Sequence, residues 1–192
     1  MLARQARRLN RAAGAPAIPA LYFFTDPGRT LDPIAIAQRL PHETAIVYRH
    51  FGAADRHAVA RTLAQVCAQR RLFLLIAADP ALAEKVRADG VHWPEARAMA
   101  RRGRGLQTMA AHSARALARA AALGMDAAIL SPIFPSQSDS ARRTLGLLRA
   151  GRMAREAQLP IIALGGINAD NARSLAGRGF AGLAAVKALS GA

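Results

Sequence analysis

The stretch PIIALGGI, residues 160–167, decides the fold of this chain. It opens on a proline, continues as an apolar run and closes on the glycine pair Gly165 and Gly166. A short apolar run between turn residues is typical of a strand that is buried on both faces, as in a parallel sheet. A segment with helical spacing follows it, so the unit that we predict is a buried strand, a turn and a helix.

The same unit recurs along all 192 residues. We predict buried strands at 21–25, 45–48, 72–77, 90–93, 106–111, 127–130, 160–164 and 182–186. Segments rich in Ala, Arg and Leu lie between them, for example 55–70, 113–123, 145–158 and 169–178. Eight strands alternating with helices predict an α/β fold, a small (β/α)8 TIM barrel. Few residues follow the last strand, so we expect the eighth helix to be truncated or missing, its gap covered by the N-terminal segment or by a partner subunit.

Residues 1–19 form a basic segment that we predict to be a capping helix, with one barrel domain over 20–192. Leu2, Ala6 and Leu9 lie at helical spacing in it. A transit peptide would be rich in serine, but no serine occurs before Ser113, and no apolar core of a signal peptide is present. The segment carries no acidic residue in its first twelve positions, and its arginines are Arg4, Arg7, Arg8 and Arg11.

The charge balance is 27 basic against 12 acidic residues, a net charge of +15. Arginines such as Arg56, Arg61 and Arg70 recur near helical spacing among alanines, which is typical of solvated helix faces. No zinc-finger spacing or aromatic-interleaved basic strand occurs, so we expect nucleic-acid affinity to be nonspecific. Attraction to small phosphorylated molecules fits the same charge.

Two further features bound the class of protein. No run of eighteen apolar residues occurs, so we predict no membrane span. The lone cysteine, Cys67, excludes an intramolecular disulfide and fits a reducing cytoplasm.

In such barrels the functional site lies at the carboxyl ends of the strands. Gly165 and Gly166 would let the backbone approach a ligand closely, and a helix starting near Asn168 would direct free N–H groups at a phosphate. Lys187, at the end of strand eight, would add a cation. The alternative is a tight turn that needs a positive φ angle at one glycine.

Other strand ends supply further candidates. Arg49 could clamp a second anionic group or be a surface arginine. His112 could move protons near neutral pH or be structural, and His50 and His92 compete with it. Asp79 and Glu95 are candidate magnesium ligands, because magnesium prefers oxygen donors.

Five motifs, in matching order and spacing, resemble the thiamine phosphate synthase and thiazole tautomerase family over about residues 21–189. They are LYFFTD at 21–26, ADGVH at 88–92, AHS at 111–113, SPIFP at 131–135 and PIIALGGI at 160–167. The resemblance implies a barrel that joins hydroxymethylpyrimidine diphosphate to thiazole phosphate in thiamine biosynthesis. It also implies magnesium to neutralise the departing diphosphate.

The family residues that hold diphosphate and magnesium are largely replaced. The strand-two pattern of Gln, Arg and Lys becomes Val47, Arg49 and Phe51, so that only the arginine is kept. The remaining replacements are Ala77 and Ala78 for an Asn-Asp pair, Arg97 for a second aspartate, Ala110 for a serine and Asp139 for a lysine. The resemblance therefore implies that standard synthase activity is lost or weak and that a magnesium site needs a rescue by Asp79 or Glu95.

The thiazole-phosphate half of the family site is retained. Its residues here are Ser131 and Ser136 after strand six, Gly165, Gly166, Val186 and Lys187. His112 followed by Ser113 resembles the tautomerase branch, in which the matching histidine moves protons on a thiazole phosphate. The functions left open are a synthase-like protein, a tautomerase-type proton shuttle, a catalytically silent binder of a small phosphorylated heterocycle, and polyanion binding. A homo-oligomer is compatible with each of them.

Overall fold

The computed structural model of the chain describes residues 1–99, 105–136 and 143–190, and its centre is a closed barrel of eight parallel strands. Each strand pairs with the next, and β8 pairs with β1. The strands are β1 Leu21–Phe24, β2 Thr44–Tyr48, β3 Phe73–Ala77, β4 Gly90–Trp93, β5 Leu106–Ala111, β6 Ala127–Leu130, β7 Ile161–Ala163 and β8 Phe180–Ala185. The predicted (β/α)8 barrel is confirmed.

Side chains alternate between two apolar layers, as the two-residue period of a strand requires. Phe23, Ile46 and Leu74 point outward into the layer beneath the helices. The inner layer fills the barrel and includes Tyr22, Phe24, Val47, Leu75, Ile129 and Ile162. The alternation fixes which residues at the strand ends face the barrel mouth.

Helices between the strands cover the outer layer. They are α2 Pro33–Ala37, α3 Arg56–Arg70, α4 Pro80–Val86, α5 Ala114–Ala122, α6 Leu147–Glu156 and α7 Lys187–Ser190. Ser113 caps α5, because its hydroxyl oxygen accepts a hydrogen bond from the Ala116 N–H at 3.1 Å. None of the described helices is long and apolar enough to span a membrane.

The helix predicted at 169–178 is wrong. Only a short 3₁₀ helix, Ala172–Leu175, forms there. The Asn168 side chain accepts hydrogen bonds from the N–H groups of Asp170 and Asn171, as a helix N-cap does, but the helical turns end at Leu175 and Ala176 is already extended. Gly177, with φ of 69°, then turns the chain toward β8.

The N-terminal helix, α1 Leu2–Ala12, packs on the outer faces of β8 and β1. It buries Leu2, Ala6 and Leu9. The Asn10 amide fixes its carboxyl end by donating to the carbonyls of Ala15, Ile18 and Ala181, at 2.6, 3.3 and 3.3 Å. Within the described residues the helix that follows β8, α7, is a single turn, and α1 packs on the outer face of β8.

Candidate functional site

Arg49 lies at the carboxyl end of β2 and faces the barrel mouth. Its Nε donates to the Thr25 carbonyl at 2.7 Å, and one Nη lies 3.8 Å from an Asp26 carboxylate oxygen. Its guanidinium carbon sits 5.2 Å from the centre of the Phe24 ring. Burial lowers the pKa of Arg49 and the charge of Asp26 opposes that shift. These contacts hold the positively charged Arg49 side chain at the mouth in one orientation.

His92 lies inside the barrel and is structural. Its Nδ1 is 2.9 Å from the Thr108 hydroxyl, and its ring packs edge-on against Phe24. Burial, and to a lesser extent the Arg49 charge, lowers the pKa of His92 to about 3. A ring that stays neutral throughout the physiological range does not exchange protons with a ligand near pH 7.

His50 points away from the mouth. Its ring stacks on Tyr48, which belongs to the outer layer, with 5.0 Å between the ring centres. Burial lowers the pKa of His50. His50 and His92 were the alternatives to His112 as a proton-transfer residue. Both are therefore separated from the exposed rim where a ligand would react.

His112 follows β5 and is exposed at the rim. Its Nδ1 lies 2.9 Å from the backbone carbonyl of Ser131 and 3.4 Å from the Ser131 hydroxyl. A carbonyl oxygen only accepts hydrogen bonds, so in the neutral ring the proton resides on Nδ1 and Nε2 carries the lone pair. The contact with the end of β6 therefore leaves Nε2 of the neutral ring without a proton and able to accept a hydrogen bond.

Both candidate magnesium ligands are poorly placed for a metal. Asp79 caps α4, since one of its carboxylate oxygens accepts from the Leu82 N–H at 2.9 Å, and the other lies 3.8 Å from Arg56 Nε. Glu95 lies on the 3₁₀ helix Glu95–Arg97, beside the exposed Arg97. Among the described residues, no three His, Cys, Asp or Glu side chains converge as metal ligands. The residues at these strand ends do not fit a magnesium ion.

Arg56 was predicted to lie on a solvated helix face, and that prediction is wrong. It is 8% exposed and donates to the Ala77 carbonyl at 3.1 Å. Its guanidinium carbon lies 5.5 Å from the Tyr48 ring centre and 5.2 Å from that of Phe51. A cation in the first turn of a helix opposes the helix dipole, so its position after Asp55 was a signal that it needs a partner.

Gly165 and Gly166 follow β7 with φ of 102° and 64°. A side chain at Gly166 would place its Cβ 2.8 Å from Phe134 Cβ and closer still to the Pro135 carbonyl. The glycine is therefore needed for packing against the loop after β6, as the tight-turn alternative holds. Within the described chain, the N–H groups of both glycines donate to no residue, so they are available to an anion as well.

The N–H groups of Asp170 and Asn171, which were expected to point at a ligand, donate to the Asn168 side chain instead. Val186 is half-buried at the end of β8, and Lys187 is exposed at the start of α7. Ser136 lies in the loop after β6. Asp139, which aligns with the family lysine, lies outside the described residues.

We expect Gly166→Ala to lower the free energy of unfolding by about 2–5 kcal/mol, since left-handed backbone costs ~1–2 kcal/mol with a Cβ and overpacking adds ~1–3 kcal/mol. Gly177→Ala is the matched control, because Gly177 has a similar φ of 69° and nothing within 4 Å of its would-be Cβ. It should cost only about 1–2 kcal/mol. Urea unfolding of both variants measures the difference, and equal losses would show that the loop after β6 yields to the new methyl group.

Comparison with known proteins agrees with this architecture. The family model described as thiamine monophosphate synthase matches residues 21–189. A thiamine-phosphate synthase from Alcanivorax borkumensis is 30% identical over 184 residues, covering 89% of this chain and 85% of that protein. A thiamine-phosphate synthase from Thiobacillus denitrificans is 34% identical over 143 residues, covering 71% and 68%. The solved structure of a thiamine phosphate pyrophosphorylase from Pyrococcus furiosus superposes with a TM-score of 0.76 at 25% identity, covering 90% and 87% of the two chains.

Proposed function

The chain belongs to the thiamine monophosphate synthase family, and from that membership we propose that it binds a small phosphorylated heterocycle, of the thiazole phosphate type, at the barrel mouth. The proposal rests mainly on a difference between the two halves of the mouth in the functional groups that they keep. The half formed by β5 to β8 keeps groups that can hold a phosphate and move a proton. The half formed by β3 and β4 has lost the groups that a diphosphate and a metal ion need.

The phosphate would lie at the ends of β7 and β8. The N–H groups of Gly165 and Gly166 are available there, and Lys187 adds a positive charge nearby. Backbone N–H groups with a nearby cation suit an anion, and the loops after strands seven and eight are the usual phosphate site in this fold. Ser131 and Ser136, after β6, would contact the ring or its phosphate.

The diphosphate half argues against efficient synthase chemistry. Arg49 is the one cation kept from the strand-two pattern, and it is already engaged with Thr25 and Asp26. Asp79 is engaged with Leu82 and Arg56. We therefore assign no catalytic step to magnesium in this protein.

A proton shuttle at His112 is the activity that the geometry favours second. Neutral Nε2 would remove a proton from a carbon of the bound heterocycle and become imidazolium. The same proton would return at another position of the ring system, so that a double bond moves and the histidine is regenerated. The contact between Nδ1 and the Ser131 carbonyl supports this tautomerase-type role, because it leaves Nε2 as the base.

A catalytically silent binder is the third alternative, and it shares the phosphate site with the first two. We further propose that the protein works in the reducing cytoplasm, which its free, buried Cys67 supports. Nonspecific, salt-sensitive affinity for nucleic acid and assembly into a homo-oligomer stay predictions.

The binding proposal is tested by calorimetric titration with thiazole phosphate. Val186→Glu places a carboxylate at the end of β8 and should weaken binding at least about tenfold. A carboxylate beside a phosphate lowers the binding free energy by ~1.4 kcal/mol or more, because the two negative charges repel each other. Ala118→Glu, on the exposed face of α5, adds the same charge away from the mouth and should leave binding within about twofold. Equal affinity in the two variants, or no binding by the unmodified protein, would contradict the proposal.

A further inference from the structure

The loop between β2 and α3, residues 50–55, packs on the protein through two of its side chains. The His50 ring stacks on Tyr48, with 5.0 Å between the ring centres. The Phe51 ring lies 5.2 Å from the guanidinium carbon of the buried Arg56, and its other side is open to solvent. We call residues 50–55 the β2–α3 loop. These two contacts hold the loop against the outer layer of the barrel.

Three polar atoms around these contacts are buried without a hydrogen-bond partner among the described residues. They are the Tyr48 hydroxyl, His50 Nε2 and Arg56 Nη1. Burying such a group without a partner costs free energy, and most buried polar groups in folded proteins avoid it. Tyr48 and Arg56 belong to the packed strand and helix, whereas His50 lies on the loop. His50 is therefore the member of the cluster that can regain water if the loop moves.

A proton on His50 would add a second cation to this cluster, because Arg56 also contacts the Tyr48 ring, with its guanidinium carbon 5.5 Å from the ring centre. Asp79, before α4, lies 3.8 Å from Arg56 Nε. The charged groups that face His50 itself are Asp26, Arg49, Asp55 and Arg56. Burial lowers the pKa of His50, and the two arginines add to the shift while the two carboxylates oppose it. The neutral ring is the form that suits the closed loop.

The chain is fixed on both sides of the loop, so a movement would be confined to it. Before the loop, the Arg49 backbone N–H donates to the Thr25 hydroxyl oxygen at 2.9 Å. After it, α3 begins at Arg56, whose Nη2 donates to the Ala77 carbonyl at 3.1 Å. Between these points, a Cβ at Gly52 would meet no described atom within 4 Å. The tip of the loop therefore has room to move.

We propose that the β2–α3 loop is an acid-sensitive latch, which is closed while His50 is neutral and opens when His50 is protonated. In the open form the imidazolium reaches water and separates from Arg56. Opening also lifts Phe51 from the Arg56 guanidinium, which is thereby uncovered beside the end of β3.

The direction of the pH dependence follows from the two proton affinities. The closed form binds a proton on His50 less readily than the open form, in which the pKa has its ordinary value of about 6.5. The closed population is therefore complete above this pH and falls as the pH drops below it. The fall ends at the lowered pKa of the closed form.

The test measures hydrogen exchange of the Phe51 and Arg56 backbone amides, which donate to the Arg49 and Ala53 carbonyls in the closed loop. Their protection factors, corrected for the intrinsic pH dependence of exchange, are compared by NMR. We expect protection to fall about three- to tenfold between about pH 7.5 and about pH 5.5, since uptake of one proton changes an equilibrium at most about tenfold per pH unit. The midpoint should coincide with the titration of the His50 ring signals.

Two variants of His50 and one control assign the effect. His50→Phe keeps a ring that can stack on Tyr48, and His50→Gln keeps a smaller polar side chain, but neither takes up a proton. In both variants the protection of the two amides should not depend on pH over this range. The matched control is His57→Gln, which removes an exposed histidine next to Arg56 and should keep the full effect.

Three results would overturn the proposal. The first is equal protection at the two pH values in the unmodified protein. The second is a fall in protection that persists in both His50 variants. The third is loss of the effect in His57→Gln, which would assign it to the general charge of α3. The measurement needs no ligand, so its outcome is independent of the proposed phosphate binding.

Discussion

With hydroxymethylpyrimidine diphosphate, thiazole phosphate and magnesium, the purified protein should form thiamine phosphate at least about 10³-fold more slowly than the Alcanivorax borkumensis relative in the same assay. Removing one preorganised electrostatic contact typically costs ~10²–10³ in rate, and each ~1.4 kcal/mol of lost stabilisation is tenfold. The family resemblance implies that several such contacts are lost at Ala77, Ala78 and Arg97. A rate close to that of the relative would contradict the proposal that the diphosphate and magnesium contacts are lost.

A gain-of-function variant sharpens this test. Ala78 has φ of 56°, a left-handed conformation that costs alanine free energy and that Asn and Asp adopt more readily. The backbone at the end of β3 is therefore already suited to Ala78→Asp. Combined with Arg97→Asp at the exposed 3₁₀ helix, this variant should raise magnesium-dependent turnover, whereas Ala78→Asn with the native Arg97 should not. Urea unfolding should show Ala78→Asp to be no less stable than the unmodified protein.

His112→Ala should lower the rate of thiazole phosphate tautomerisation by about 10²–10⁴-fold, the usual contribution of a general acid–base group. Thiazole phosphate binding should persist, since the phosphate would be held at β7 and β8. The measurement is proton exchange or double-bond migration on the thiazole ring, followed by NMR at pH 7.

Two companion variants separate the role of the ring from that of its surroundings. His57→Ala removes an exposed histidine from α3 and should change nothing. Ser131→Ala should have at most a several-fold effect, because the Ser131 carbonyl, at 2.9 Å from Nδ1, remains to fix the tautomer. Unchanged turnover in His112→Ala would remove His112 from the mechanism, and no turnover in the unmodified protein would favour the silent binder.

The sequence predicted the barrel because each strand is a short apolar run that is buried on both faces. Such runs are visible in the sequence without knowledge of the tertiary contacts. It also placed His112 and the Gly165–Gly166 loop at strand ends, which meet at one rim in a parallel barrel. Their roles in a functional site stay predictions.

The predicted helix at 169–178 failed in its length and not at its start. Asn168 and Asn171 each accept a hydrogen bond from the other's backbone N–H, as in a capping box, but the chain is extended at Ala176 and turns at Gly177. Helical spacing did not show where the helix would end.

The role of Arg56 was missed for a different reason. Its partners, Ala77 and Asp79, are more than twenty positions away, and its aromatic contacts form only once β2 and α3 have packed. The same holds for His92, whose neutral state follows from its burial inside the barrel and from the charge of Arg49. Helical spacing describes the face of a helix, but it does not show which exposed positions a neighbouring loop will cover.

The seam between α1 and β8 bears on how the chain folds during synthesis. Asn10 bonds to Ala181 across 171 positions, and β1 finds its second partner only in β8. Contacts between such distant residues make folding slow, because a long loop must close before they form. Until the ribosome has released β8, one edge of β1 has no native partner and α1 lacks its main one. Barrel closure therefore waits for β8, and until then the nascent chain exposes an aggregation-prone strand edge.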